Sequence, residues 1–129
     1  MTIDVPGPLR NPLNGAYVHW SKHRRWARQW RERTTQRLLV HKLTTPSDAE
    51  FFRAPGRAKR VTFVCHVVRG FDDDALPAIC KPLRDGLVDA QLLDDDAPDR
   101  GHVFTYSQRR IHEDGALERG VVITIEWRV

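Results

Sequence analysis

The chain has 129 residues, with 21 Lys or Arg against 17 Asp or Glu and a formal charge of +4. That length suits one domain around one core, and a hydrophobic fraction of 40% is ordinary for a globular protein. No apolar run approaches membrane-spanning length, the first residues lack a basic-then-apolar signal pattern, and the two cysteines form no C-x-x-C pair. A disulfide framework, a zinc site and a membrane span are therefore not expected, and a cytoplasmic, soluble protein with free thiols is. The basic balance favours nucleic acid or another anionic surface as partner.

A short strand opens the chain, and Pro12 with Asn14-Gly15 marks a turn leading into the next element. From Trp20 to Lys42 there are eight Lys or Arg against one acid, Glu32, with no Gly or Pro. This stretch reads as a helix whose narrow apolar stripe is Trp26, Trp30 and Leu38, with Ala27 and Thr34 between. The tryptophans are expected in the core, and Arg24, Arg25, Arg28 and Arg31 on the outer face as candidate phosphate contacts. Residues 44–59 read as a loop, with Pro46-Ser47-Asp48 capping a short turn that carries Phe51 and Phe52. Arg60 to Val68 is β-branched and aromatic and reads as a central strand.

Leu76, Ile79, Cys80, Leu83, Leu87 and Ala90 share one helical face. Pro77 and Pro82 interrupt that stretch, so a regular helix is expected from Pro82, with an irregular lead over 75–81. Val103 to Gln108 is a predicted strand. Asp114-Gly115 is a hairpin signal, and Val121 to Trp127 is a last strand placed at an edge. The expected fold class is α+β: a small mixed sheet with two main helices, in a single domain covering residues 1–129.

The acids are unevenly spread. Nine of the seventeen fall between Asp72 and Asp99, in the bunches Asp72-Asp73-Asp74 and Asp94-Asp95-Asp96, with only Lys81 and Arg84 to offset them. Each bunch alone suits a solvated turn or a helix N-terminus. Two bunches flanking one amphipathic helix point instead to neutralisation by a divalent cation, and two or three carboxylates plus waters suit Mg²⁺. In an extended segment Asp72 and Asp74 would share one face. No EF-hand spacing is present. His19 and His23, one helical turn apart, lack a third ligand nearby.

The run from Asp72-Asp73-Asp74-Ala75-Leu76 through Lys81-Pro82-Leu83-Arg84-Asp85-Gly86-Leu87 to Asp94-Asp95-Asp96 resembles the signature of the RusA-like Holliday-junction resolvases. That family shows D-x-D-N-L, then K-x-x-x-D-[AG]-L, then a short run ending in D-D. Pro12-Leu13-Asn14, His19-Trp20-Ser21-Lys22 and Trp30-Arg31 resemble its P-x-N turn and basic first helix. The resemblance implies a Mg²⁺-dependent homodimeric endonuclease, with Mn²⁺ as a substitute, that makes paired nicks in branched DNA and is typical of phages and prophages. It implies Asp72, Asp74 and Asp96 as metal ligands aided by Asp95, Lys81 as the catalytic lysine, and Asp85 as the helix acid after it. His19, Trp20 and Lys22 would line the cleft, and Arg109 and Arg110 offer a second DNA contact. Ala75 stands where the family usually has Asn, the stretch from Asp74 to Lys81 is longer than its commonest form, and Gln91 replaces a frequent Gly. A junction-binding module that keeps the fold without catalysis is the alternative that Ala75 suggests.

Overall fold

The computed structural model describes residues 1–11, 20–111 and 118–129, with all their side chains except those of Trp20, Ser21 and Asp99. The Pro12-Leu13-Asn14 turn, His19 and the Asp114-Gly115 pair lie outside the described residues.

Four strands form one mixed sheet in the order β1-β4-β2-β3. They are β1 (Thr2–Pro6), β2 (Lys59–Val67), β3 (Val103–Arg110) and β4 (Gly120–Trp127). β4 pairs antiparallel with both β1 and β2, and β2 pairs in parallel with β3. The apolar strand β2 is central, as its composition requires. Its burial alternates, with Val61, Phe63, Cys65 and Val67 buried and the residues between them only partly so. One face of the sheet therefore meets the core, and the described side chains on the other face are partly buried or exposed.

The helical layer is α1 (Trp20–Thr44), α2 (Ala49–Arg53), α3 (Leu76–Ile79) and α4 (Lys81–Asp89). The architecture is α+β, with α1 and α4 as the two main helices, and α1 packs along α4 and β1. Trp26, Trp30 and Leu38 are buried, and Thr34 is buried with them because its hydroxyl donates to the carbonyl of Trp30 at 2.8 Å. Gly86 lets α4 lie close against α1. A Cβ there would lie 2.8 Å from Thr34 Cβ and 2.9 Å from the Arg31 carbonyl. Overpacking at such a contact costs about 1–3 kcal/mol.

The stretch with two prolines resolves into two short helices broken at Cys80. Each proline sits in a first turn, where its missing N–H has no intrahelical partner to lose. All six residues expected on the inner face, Leu76 through Ala90, are buried. α4 ends in a Schellman turn: Leu92 N–H bonds Leu87 C=O, and Gln91 N–H bonds Val88 C=O, both at 3.0 Å. Gln91 takes φ +61°, a left-handed conformation that favours Gly. That conformation is the physical reason a glycine suits this position.

Three sequence expectations need correction. β4 is interior, because β1 covers its far side, although β4 lies near the chain's end. No β3–β4 hairpin forms, because β2 lies between those strands. A dipeptide turn preference is local and yields to the pairing of two strongly apolar strands, β2 and β4, side by side. Asp73–Ala75 is a 3₁₀ turn with Asp72 as its extended leading residue. Strand alternation therefore does not place Asp72 and Asp74 on one face; the turn's own geometry sets their directions.

Candidate active site

Lys81 is the first residue of α4, directly after the break that Pro77 and Pro82 impose. Its ammonium bonds Asp96 at 2.5 Å and Asp85, one helical turn on, at 2.9 Å. Burial works against the lysine's charge, but the hydrogen bonds to Asp96 and Asp85 outweigh it and raise its pKa. Lys81 therefore stays charged throughout the physiological range. Asp96 shows the mirror behaviour. Burial opposes its charge, while the bond from Lys81 and the nearby Arg84 hold its carboxyl below the usual range.

Arg84 completes the cluster. It donates from Nη1 to the Tyr106 hydroxyl at 2.5 Å, lies over the Phe104 and Tyr106 rings, and brings Nε within 3.7 Å of Asp96. Its Nε is buried with no hydrogen-bond partner among the described residues. Burial pushes the Tyr106 phenol up, so it remains protonated.

The second acidic bunch is held at both ends. Asp94 accepts from His102 Nε2 at 2.8 Å, and His102 Nδ1 accepts the backbone N–H of Lys59 at 3.2 Å. Those partners set the imidazole as the Nε2–H tautomer. The His102 bond is the main cause that lowers the Asp94 pKa. Asp95 accepts from Ala97 N–H, and Arg100 lies 4.0 Å from it.

The first bunch is held differently. Gln108 clamps Phe71 by bonding both its N–H and its C=O, at 2.9 and 2.6 Å, and donates to Asp73 at 2.9 Å. Asp72 and Asp74 are exposed, and Asp72 makes no side-chain cap. Asp72 lines a hollow of about 390 Å³ together with Gln108, Arg109 and Arg110. Tyr106 and Gln108 are alternate residues of β3 and so share a face, with Cα atoms roughly 6.6 Å apart. β3 thus carries contacts to both bunches at neighbouring positions on its inner face: Asp73 directly, and Asp96 through Arg84. Among the described residues, no three acidic, His or Cys side chains gather as a metal-holding group.

A groove of about 540 Å³ runs from this cluster along α1, lined by Arg24, Arg25, Arg28, Arg31, Lys81 and Asp85. Four of the expected phosphate contacts thus face the same groove as Lys81. Arg31 differs from the others: Asp89 takes it in two bonds, at 2.5 and 2.8 Å, which raises its pKa and commits most of its fork. Lys22 is exposed on the first turns of α1. His19 lies outside the described residues.

Sequence reading missed Tyr106, Gln108 and His102, and it took Arg84 only as an offsetting charge. Phe104, Tyr106 and Gln108 alternate along a predicted strand, which marks one face. Which face it is, and what lies above it, is a tertiary fact.

No family model matches the chain, and no curated protein matches it. Among the described residues, no helix is long and apolar enough to cross a membrane.

Proposed function

We propose that the chain is a divalent-metal-dependent endonuclease that cuts branched DNA, acting as a homodimer in the manner of the RusA-like resolvases it resembles. The observation that carries this reading is the position of Lys81. It stands between the acid Asp96 and a groove lined by four arginines of α1. A polyanion following those arginines would bring a phosphate to the lysine. There the charged ammonium, fixed by Asp85 and Asp96, is suited to stabilise the negative charge that builds at phosphorus. Arg24, Arg25 and Arg28 would bind backbone phosphates by releasing counterions, with Arg31 a weaker contributor because Asp89 already holds it.

The donor types suit Mg²⁺, with Mn²⁺ as a substitute: hard carboxylate oxygens on Asp72 and Asp74, both exposed, and on Asp95 and Asp96 of the second bunch, which would have to close on the first around the cation. When bound, such a cation supplies Lewis-acid polarisation of a phosphoryl oxygen. Paired incisions across a two-fold junction need two sites, hence a C₂ dimer. The test is cleavage of a synthetic four-way junction with Mg²⁺. Wild type should cut, and Asp74→Asn and Lys81→Met should not; equal cutting by all three sinks the assignment.

A second reading is a junction-binding module that keeps the fold without catalysis. It is favoured by Ala75, which is buried at 2% exposure where the family usually carries an amide. Junction binding without nicking in either Mg²⁺ or Mn²⁺ would select it.

A further inference from the structure

We infer that Cys65 and Cys80 are a redox-gated staple: a peroxide closes a disulfide between them and ties off the segment that carries Asp72–Asp74. The inference stands on the two thiols and not on the nuclease reading. Cys65 lies on the inner face of β2, and Cys80 stands at the break between α3 and α4. Both are free and fully buried. Their sulfurs lie 3.6 Å apart, although 15 positions separate them in the chain. A disulfide needs about 2.05 Å, so closure takes a shift of roughly 1.5 Å shared between two side chains.

A buried cysteine packs as a small hydrophobe, and either one alone would be no more than that. Two in contact differ, because each is placed to resolve the oxidised form of the other. One thiol sulfur attacks a peroxide oxygen, the O–O bond breaks, and a sulfenic acid and water result. The second thiol sulfur attacks the sulfenic sulfur, the S–O bond breaks, and a second water leaves as S–S forms. Two thiols and one hydrogen peroxide thus give one disulfide and two waters. The sulfurs lose two electrons and the peroxide oxygens gain them.

The bond with Cys65 and burial push the Cys80 thiol up, so it stays neutral at physiological pH. The thiolate is the nucleophile, so reaction waits for local opening, and the staple sets slowly under sustained oxidant. The segment it closes holds the 3₁₀ turn Asp73–Ala75 and all of α3, and Lys81 follows Cys80 directly. Joining its two ends removes freedom from every state in which this segment opens.

The test uses the full chain, freed of reductant and without DNA or metal, held with excess hydrogen peroxide. Intact mass should fall by about 2 Da, and free thiols in denaturant should go from two to none. A peptide map should join Cys65 to Cys80 within one chain. The thermal midpoint should rise by roughly 10 °C, the scale for a loop of this length in a chain of this size. Amide hydrogen exchange over residues 68–79 should slow, and dithiothreitol should reverse all of these changes. Cys65→Ala and Cys80→Ala should show no such rise and no loss of 2 Da (about two hydrogens). Thiols that remain free, a gain of oxygen mass in place of the lost hydrogens, a bond between chains, or a closed bond that leaves midpoint and exchange unmoved each overturns the proposal. The wild-type peptide map decides the pairing even where a variant fails to fold. Because no cleavage is measured, failure here is separate from failure of the nuclease reading.

Discussion

The two acidic bunches have the same composition and opposite circumstances. Around Asp94–Asp96 every carboxylate has a partner: His102 for Asp94, the Ala97 N–H for Asp95, and Lys81 for Asp96. Around Asp72–Asp74 all three carboxylates are exposed, and among the described residues the side-chain bond is the one from the neutral amide of Gln108 to Asp73. The first case is charge neutralised within the fold. The second is exposed charge held close together, with no ion pair among the described residues. Identical Asp runs can thus be engaged by the fold in one place and left exposed in another. The partners, not the run, separate the two.

The largest expected effect breaks the exposed side. Asp74→Asn should lower four-way junction cleavage by about 10²–10³-fold, the scale for losing one electrostatic element of a phosphoryl site. Its thermal midpoint should stay put, because the side chain is exposed. A matching loss of stability would assign Asp74 to the brace instead.

The braced side is tested through His102, whose side chain is fully buried. His102→Ala removes both of its hydrogen bonds and should destabilise the fold by about 2–3 kcal/mol in a urea titration. Asp73→Ala should change stability by less than about 0.5 kcal/mol, as exposed substitutions usually do. Equal effects would erase the contrast.

Lys59, at the start of β2, gives a pH test of the same braced end. It is buried, its ammonium donates to the Ala54 and Arg57 carbonyls, and burial pushes its pKa down to about 8. Between pH 8 and its unfolded value near 10.5, the unfolded chain holds more protons than the folded one. Wild-type stability should therefore rise across that window relative to Lys59→Met, by an amount on the order of 2 kcal/mol. Parallel curves for the two proteins would show that the ammonium is not desolvated.

A smaller effect is expected between the bunches, at the turn that ends α4. Gln91→Gly should relieve the left-handed residue and stabilise the protein by about 1 kcal/mol. That is roughly 4 °C in the thermal midpoint for a chain of this size. No gain would mean that Gln91 is held there at little strain.

Local chemistry made much of this molecule legible. The buried stripe of α1, the central apolar strand β2, the break before Lys81 and the inner face from Leu76 to Ala90 all follow from side-chain periodicity and proline geometry. Nearest-neighbour rules decide these features, so the order of residues suffices. Edge and centre did not follow. β4 looked like an edge strand from its place in the chain, and Asp114-Gly115 looked like a hairpin between strands that the sheet holds apart. Strand order depends on which apolar faces bury together across distant sequence, and no local signal records that.

The candidate site divides along the same line. Residue order by itself determined that acids bracket a lysine-bearing amphipathic helix and that a basic helix precedes them, because composition and spacing are properties of the chain. Tertiary structure alone decided that Lys81 pairs with Asp96 rather than with the nearer Asp74. It also decided that Gln108 reaches Asp73 directly, that Tyr106 reaches Asp96 only through Arg84, and that the arginines of α1 open onto the same groove as Lys81. Those facts depend on β3 lying parallel to β2 and on α1 crossing α4 at Gly86. Both are long-range contacts, whose free energy comes from burying surfaces far apart in the chain.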